Sequence, residues 1–248
     1  EAGVGAVSVR NSSHFAAAGC YTLAAAEAGC IGLATCNATS AVLAHSGRDS
    51  LHGTNPISFA VPVTGERPYL IDMASSSIPV NRILQYRALD RELPPEVVVD
   101  AEGRMTTDPH KAVSLLPLGG SSYGYKGAAL AGMVEILSAA LTGMRLSHEM
   151  PEMFEPPWSE PRHLGQFFLA LKPSVFIEED VFQAQMRGYL DNLRGQAALP
   201  GERVMAAGDR EWAVEAQRGA EGIPVDAPNW KAFAELAAAT GVTPLRAL

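Results

Sequence analysis

A histidine next to a polar turn is the first residue whose type and position suit acid–base chemistry. Asn11-Ser12-Ser13-His14 follows a run that predicts a strand and precedes an alanine-rich run that predicts a helix. Serine or asparagine at such a corner is a natural N-cap, which would place His14 in the first helical turn. A neutral imidazole there can accept a proton from a substrate. A histidine that only caps or packs is the alternative that this segment alone leaves open.

A lysine in a glycine-rich segment is the second candidate. The segment GSSYGYKG, residues 120–127, resembles a P-loop, but that motif needs glycine before the lysine and serine or threonine after it. Tyr125 and Gly127 flank Lys126 instead, so ATP hydrolysis by this motif is rejected. A glycine-rich loop with one lysine at the start of a helix still offers backbone N–H groups, a positive helix end and a cation to a phosphate or carboxylate. A solvated lysine on a flexible loop is the alternative.

Two polar turns lie at predicted strand ends, where α/β proteins collect ligands. Gly53–Pro56 precedes a strand, and Asp72–Ser77 ends a strand just before a helix. Ordinary turn formation and helix capping would explain the same residues. By contrast, Gly3-Val4-Gly5 fails as a dinucleotide-binding fingerprint, because the third glycine is missing and the pair does not join a strand to a helix.

Strands and helices that alternate along the chain must position these residues. Apolar patterns predict strands at Val4–Arg10, Ile31–Asn37, Ile57–Val63, Tyr69–Met73, Val97–Asp100 and Gly165–Leu171. Helices are predicted at Phe15–Ala28, Ile78–Leu89, Lys126–Thr142, Glu178–Leu193 and Trp230–Thr240. The first strand–helix–strand unit favours a parallel or mixed sheet, so the fold class is α/β with a mixed sheet and no evident domain boundary. Met150–Pro161 is predicted to be a loop or lid.

Composition and charge argue against several classes of protein. The net charge is −8 without a cluster of Lys or Arg, which argues against nucleic-acid binding. Three cysteines without a CxxC pair argue against a disulfide framework, and no histidine spacing suits a metal site. No apolar run is long enough for a membrane span, and no signal peptide is visible. A cytoplasmic protein with buried thiols, and without metal or membrane partners, is expected.

Taken together, these segments resemble the type-2 malate/L-lactate dehydrogenase family, which also includes ureidoglycolate dehydrogenase, diketogulonate reductase and the cyclic-imine carboxylate reductases. The resemblance covers nearly the whole chain in order. It is carried by VRNSSHFAAAGCY (9–21), AEAGCIGLATCN (26–37), HGTNPISFAVP (52–62), LIDMASSSI (70–78), DAEGRMTTDP (100–109), LPLGG (116–120), GYKGAALAGMVEILSAALTG (124–143), LGQFFLAL (164–171) and GIPV (222–225).

The resemblance implies a fold that binds NAD or NADP without a Rossmann domain, and a homodimer. It implies hydride transfer between the nicotinamide and a small 2-hydroxy or 2-keto acid such as malate or lactate. Reduction of cyclic imine carboxylates is the alternative reaction within the family. His14 matches the family's proton-transferring histidine, and the cofactor contacts match Ala38, Asp72, Met73, Ala74, Lys126, Ala207, Gly208 and Asp209.

The chain also departs from the family pattern. Relatives commonly carry a further N-terminal segment that holds the substrate carboxylate, so residues 1–248 correspond to the NAD(P)-binding and dimerisation portion. Ala38 stands where relatives often have serine or threonine, and Ala207-Gly208-Asp209 matches a Pro-Gly-Glu segment imperfectly. The lysine segment contains an inserted Ser-Ser-Tyr-Gly. A nucleotide-binding remnant without turnover, and an NAD-independent lyase or isomerase using His14 alone, are the other functions to test.

Overall fold

The strands of the first structural unit form two sheets. The computed structural model describes residues 2–153 and 159–246, and the chain divides into two units, Glu1–Ala206 and Ala207–Leu248. The strands of the described residues are β1 (Val4–Ser12), β2 (Ile31–Cys36), β3 (Val42–Leu43), β4 (Ser50–His52), β5 (Ile57–Val61), β6 (Tyr69–Met73), β7 (Val98–Val99), β8 (Ser114–Leu115) and β9 (Leu164–Leu171).

Helices belong to both units. The first unit contains α1 (Gly19–Glu27), α2 (Val80–Ala88), α3 (Gly120–Glu135) and α4 (Glu179–Arg194), and α3 continues into a π-helical turn at Ile136–Ala140. The second unit contains α5 (Asp209–Glu221) and α6 (Ala227–Thr240). Within the described ranges, no helix is both long enough and apolar enough to cross a lipid bilayer.

The larger sheet has the strand order β1-β9-β2-β5-β6, and every neighbouring pair in it is antiparallel. β1 and β2 run in the same direction, as a strand–helix–strand unit requires, but β9 lies between them. The smaller sheet has the order β4-β3-β8-β7, and its β3–β8 pair is parallel. The predicted α/β class with mixed strand directions is therefore confirmed.

Small residues allow helices to lie close to the larger sheet. A Cβ atom on Gly32 in β2 would come within 2.9 Å of the Ala25 side chain and 3.0 Å of the Thr22 backbone in α1. A Cβ atom on Gly165 in β9 would overlap the carbonyl of Ser138 in the π-helical turn. Both glycines therefore permit a close approach of helix and strand that a larger residue would prevent.

Two helix starts differ from the sequence prediction. α1 begins at Gly19 instead of Phe15, and α3 begins at Gly120 instead of Lys126. Gly119, whose φ is 101°, turns the chain into α3, and its carbonyl accepts the Tyr123 N–H within the first turn. The segment that the sequence predicts as a glycine-rich loop is therefore helical, because glycine supplies the left-handed residue at which the helix begins.

Two further expectations concern a predicted loop and the burial of the cysteines. The predicted loop at Met150–Pro161 includes residues 154–158, which lie outside the described residues. The expectation of buried thiols holds for Cys36, whereas Cys30 is partly exposed and Cys20 is exposed. An exposed position in the alanine-rich α1 explains Cys20, since only one side of this helix faces the sheet.

Candidate active site

His14 lies in the connector between β1 and α1, and not in a helical turn as predicted. β1 ends at Ser12 and α1 begins at Gly19, so the connector separates the imidazole from the helix. The exposed ring accepts a hydrogen bond at Nδ1 from the Ala16 N–H, at 3.0 Å. Because the accepting nitrogen carries no hydrogen, the neutral ring has its proton on Nε2 in this arrangement.

Gln166 in β9 holds the backbone that carries His14. Its side chain is buried, and its Nε2 donates to the Ser12 hydroxyl at 2.8 Å and to the Ser13 carbonyl at 3.0 Å. In the sheet, Gln166 pairs with Cys36 at the end of β2. No role was predicted for Gln166 from the sequence. A single polar side chain in the apolar run LGQFFLAL is the signal that could have found it, since buried polar groups need partners.

Asp72, at the end of β6, binds the start of α1. Its Oδ2 accepts the Gly19 N–H at 2.8 Å, while the N-cap position is occupied by Ala18 without a side-chain cap. The predicted cap from Asn11 or a neighbouring serine is therefore wrong. A carboxylate at a helix N-terminus satisfies a backbone N–H and interacts favourably with the helix dipole. The end of β6 thus lies beside the connector that carries His14.

A series of hydrogen bonds joins the Ala38 loop to the end of β6. The Ala38 N–H donates to Oδ1 of Asn55 at 3.1 Å. The carbonyl of the adjacent Thr54 accepts from the N–H and the hydroxyl of Ser75, at 2.8 and 3.1 Å. Because Ser75 directly follows Ala74, Ala38 and Ala74 are held to the same polar turn.

The same series continues to α3. The Ser75 carbonyl accepts the Leu118 N–H at 2.9 Å, and the Leu118 carbonyl accepts the Gly127 N–H at 3.1 Å. A Cβ atom on Gly127 would overlap the Leu118 backbone, so glycine is required for this approach. Lys126, which precedes Gly127, is thereby brought near the end of β6.

Lys126 projects from the second turn of α3. Its ammonium lies 5.2 Å from the centre of the Tyr123 ring and 5.9 Å from that of Tyr125. In the part of the chain that the structure describes, no carboxylate forms an ion pair with it. The helix N-terminus contributes less than predicted, because the dipole effect falls off within the first turn. A cation with aromatic neighbours and no acidic partner is still suited to a phosphate or carboxylate.

Polar atoms without partners flank Ala38. Among the described residues, the buried side-chain atoms that lack a hydrogen-bond partner are Asn37 Oδ1, Ser40 Oγ and His52 Nδ1. Burial lowers the pKa of His52, and the nearby charge of Glu135 opposes that shift. Buried polar atoms in native proteins are nearly always satisfied by protein, water or ligand. These atoms therefore indicate that polar groups of a ligand or ordered water belong beside the Ala38 loop.

Ala207, Gly208 and Asp209 form the start of α5 in the second unit. Gly208 has a φ of 97° and occupies the N-cap position, and Asp209 is the first helical residue. The Gly208 carbonyl accepts the Trp212 N–H at 2.9 Å. A helix start of this kind can offer backbone N–H groups to an anionic oxygen. A role of these three residues in cofactor binding stays a prediction.

A cavity of about 170 Å³ lies beside the smaller sheet. Its lining includes His45, Met105, Leu116 and Ser121, and none of the predicted site residues is part of it. Exposed His14 and Lys126 instead lie on open surface.

Comparison with known proteins gives a family match over most of the chain. The family model described as malate/L-lactate dehydrogenase matches residues 1–234. The (2R)-3-sulfolactate dehydrogenase (NADP(+)) of Chromohalobacter salexigens is 35% identical over 223 residues, which are 88% of this chain and 63% of that protein. The Delta(1)-pyrroline-2-carboxylate/Delta(1)-piperideine-2-carboxylate reductase of Pseudomonas putida is 35% identical over 245 residues, which are 95% of this chain and 67% of that protein. The chain thus spans about two thirds of the length of these relatives.

Solved structures agree with the family match. The crystal structure of malate dehydrogenase from Entamoeba histolytica superposes with a TM-score of 0.89 at 32% identity. The superposition covers 99% of this chain and 70% of that one.

Proposed function

The chain belongs to the malate/L-lactate dehydrogenase family, and on that premise we propose that the whole protein is an NAD(P)-dependent oxidoreductase. It transfers hydride between the nicotinamide and C2 of a small 2-hydroxy or 2-keto acid, such as malate or lactate. One observation supports this most directly: hydrogen bonds join Ala38 and the end of β6 to Gly127, the neighbour of Lys126, beside the His14 connector. Residues 1–248 would carry cofactor binding and dimerisation, and the protein would act as a cytoplasmic homodimer.

The residues around Ala38, the end of β6 and Lys126 fit a nicotinamide dinucleotide. Lys126 offers a cation for a phosphate or ribose oxygen, and the unpartnered polar atoms beside Ala38 suit hydroxyl and amide groups. Asp72, Met73 and Ala74 would supply further contacts. Ala207–Asp209, in the second unit, stay separate candidates for cofactor binding. When bound, the cofactor supplies or accepts the hydride.

His14 would move the proton that accompanies the hydride. In oxidation, its Nε2 accepts the proton of the substrate hydroxyl, and this requires that Nε2 carries no hydrogen beforehand. The bond from the Ala16 N–H to Nδ1 instead favours the tautomer with hydrogen on Nε2. The imidazole therefore has to leave the Ala16 N–H before it acts as a base, which an exposed side chain can do by rotating.

Reduction of a cyclic imine carboxylate is the second candidate function. The similarity to the Pseudomonas putida reductase extends over 95% of this chain. This similarity favours imine reduction over a lyase or isomerase reaction without nucleotide. The hydride acceptor would again be a carbon next to a carboxylate, and His14 would handle a proton at nitrogen instead of oxygen.

Turnover by the full-length natural protein tests the proposal. NADH and NADPH oxidation would be followed with pyruvate, oxaloacetate and piperideine-2-carboxylate. Consumption with either keto acid supports the dehydrogenase, and consumption with the imine alone selects the second candidate. Nucleotide binding without any turnover would reduce the protein to a binding remnant. Turnover of a hydroxy acid without either nucleotide would favour a lyase or isomerase.

The His14→Asn variant should lower kcat by about 10²–10⁴-fold, the usual contribution of a general acid–base. Its affinity for NADH or NADPH, measured by fluorescence titration, should stay unchanged, because the ring handles only the proton. A wild-type kcat in this variant would exclude His14 as the proton-transferring group.

The Lys126→Ala variant should raise the cofactor KM more than it lowers kcat, because the lost contact is made equally in ground and transition states. Steady-state kinetics with varied cofactor measure both constants. An unchanged cofactor KM would remove Lys126 from the binding site.

A further inference from the structure

A buried amide lies between two segments that carry predicted cofactor contacts. Asn55 is fully buried, and its φ of 37° lies in the left-handed region. Its Oδ1 accepts the Ala38 N–H at 3.1 Å. Its Nδ2 donates to the Ala131 carbonyl at 3.1 Å and to Glu135 Oε1 at 2.9 Å, both on α3. One side chain thus joins the Ala38 loop to the helix that carries Lys126.

Glu135 extends this connection to a third segment. Its Oε1 also accepts a hydrogen bond from the Ser147 hydroxyl, and its Oε2 accepts the Ser147 N–H at 3.3 Å. The Ser147 carbonyl in turn accepts the Ser40 N–H at 3.1 Å, two residues beyond Ala38. Both carboxylate oxygens are therefore bound. Removal of one partner from such a network leaves another buried polar group unsatisfied.

We propose that Asn55 and Glu135 form a positioning pair for the cofactor. This inference rests on the proposed function, since it takes Ala38 and Lys126 as cofactor contacts. Neither Asn55 nor Glu135 would touch the nucleotide. The pair fixes the Ala38 backbone relative to α3, so that both contacts are in place before the nucleotide binds, which lowers the ordering cost of binding.

Exchange of donor and acceptor between the two positions tests the pair. Asn55→Asp keeps an acceptor for the Ala38 N–H but turns a carboxylate towards Glu135. Asn and Asp both tolerate the left-handed region, so the backbone at position 55 is retained. Glu135→Gln removes the charged acceptor at nearly constant volume. In the double variant, the amide at position 135 can donate to the carboxylate at position 55, and the net charge equals that of the wild type.

The double variant should recover the nucleotide affinity that each single variant loses. In the full-length protein, each single substitution should raise the Kd for NADPH or NADH by about tenfold, the effect of one lost charge-assisted hydrogen bond. The double variant should return to within about threefold of the wild type. Recovery stays incomplete because the Ala131 carbonyl then faces a carboxylate. The cofactor KM should change more than kcat, because His14 is not part of the network.

A measurement without nucleotide reports on the same pair. Hydrogen exchange of the Ala38 amide, followed by NMR, should accelerate in both single variants and slow again in the double variant.

Gln183→Ala provides a matched control. Gln183 is also buried, and its Oε1 accepts the Thr64 N–H at 2.8 Å, in a different part of the first unit. It should lower the melting temperature as the single variants do, with an unchanged nucleotide Kd.

The outcomes separate this inference from the function on which it rests. A wild-type protein that binds neither NADH nor NADPH overturns the proposed function, and the positioning role with it. Binding by the wild type, with Kd values in the single variants no higher than in Gln183→Ala, overturns the positioning role alone. If the single variants lose nucleotide affinity and the double variant does not recover it, the positioning role is also overturned. The loss then does not depend on the hydrogen bond between positions 55 and 135.

Discussion

At the scale of single residues, Asp72 stabilises a helix that is distant in the sequence. Its Oδ2 accepts the Gly19 N–H across 53 positions, so the start of α1 depends on the place where β6 ends. The residue at the N-cap position, Ala18, has no side chain that could do the same. The contribution of Asp72 to stability is therefore separate from any contact with a cofactor.

Asp72→Ala should lower the free energy of unfolding by about 1–2 kcal/mol, the usual cost of a lost N-terminal cap. Asp72→Asn should cost less, because the amide oxygen still accepts the Gly19 N–H. Urea denaturation followed by circular dichroism measures both. Equal stability of Asp72→Ala and the wild type would contradict the capping role.

Cys36 should make the free energy of unfolding depend on pH in the alkaline range. Burial raises the pKa of its thiol from 9.0 to about 12. Above pH 9 the unfolded chain loses this proton while the folded protein keeps it, so the free energy of unfolding should fall as the pH rises from about 9 towards 12. Urea denaturation at several pH values measures the slope, and Cys36→Ala should reduce it. Identical slopes in both proteins would exclude a contribution from Cys36.

At the scale of elements, individual strands are predictable from sequence but their neighbours are not. β2, β5, β6 and β9 follow from local runs of β-branched and aromatic residues. Nothing within LGQFFLAL indicates that β9 lies between β1 and β2, because that pairing joins segments far apart in the chain. β3 and β8 contain two residues each, and their strand conformation depends on their sheet partners.

Gly165→Ala should be strongly destabilising, because the added Cβ atom would overlap the Ser138 carbonyl. A loss of about 2–3 kcal/mol or more is expected for such overpacking. Gly188→Ala in the exposed face of α4 is the matched control, since its Cβ atom meets nothing within 4 Å. The control should gain about 0.5–1 kcal/mol from helix propensity. Thermal and urea unfolding would compare the two, and equal effects would contradict the close approach of β9 to Ser138.

At the scale of the whole molecule, the buried apolar clusters of the described residues all belong to Glu1–Ala206. No domain boundary is evident in the sequence, because helices and strands alternate throughout the first unit and a helix alone marks no boundary. α5, which was not predicted from the sequence, belongs to the second unit.

A chain that ends after Ala206 should therefore keep a cooperative unfolding transition, since both sheets and all of these clusters remain. It should also lose nucleotide affinity if Ala207–Asp209 contribute to binding. Differential scanning calorimetry and fluorescence titration measure the two effects. Loss of the cooperative transition would show that the first unit depends on the second.

The residues of the candidate site differ in how well the sequence predicts them. The resemblance to a family identified the segments around His14, Asp72 and Lys126, which local patterns alone left open. Gln166 and Glu135 were missed, and Asn55 was noted only as part of the polar turn Gly53–Pro56, because a hydrogen bond between distant residues leaves no periodic pattern in the sequence. Such supporting residues are visible only when the contacts are known.

The place of β9 between β1 and β2 also matters while the protein is being made. On the ribosome, β1, α1 and β2 emerge long before Leu164–Leu171 has been translated, at rates of about 5–20 residues per second. During that interval the inner edges of β1 and β2 offer unpaired N–H and C=O groups to other nascent chains. A chaperone that binds incomplete chains would therefore protect these edges until β9 has been made and pairs with both strands.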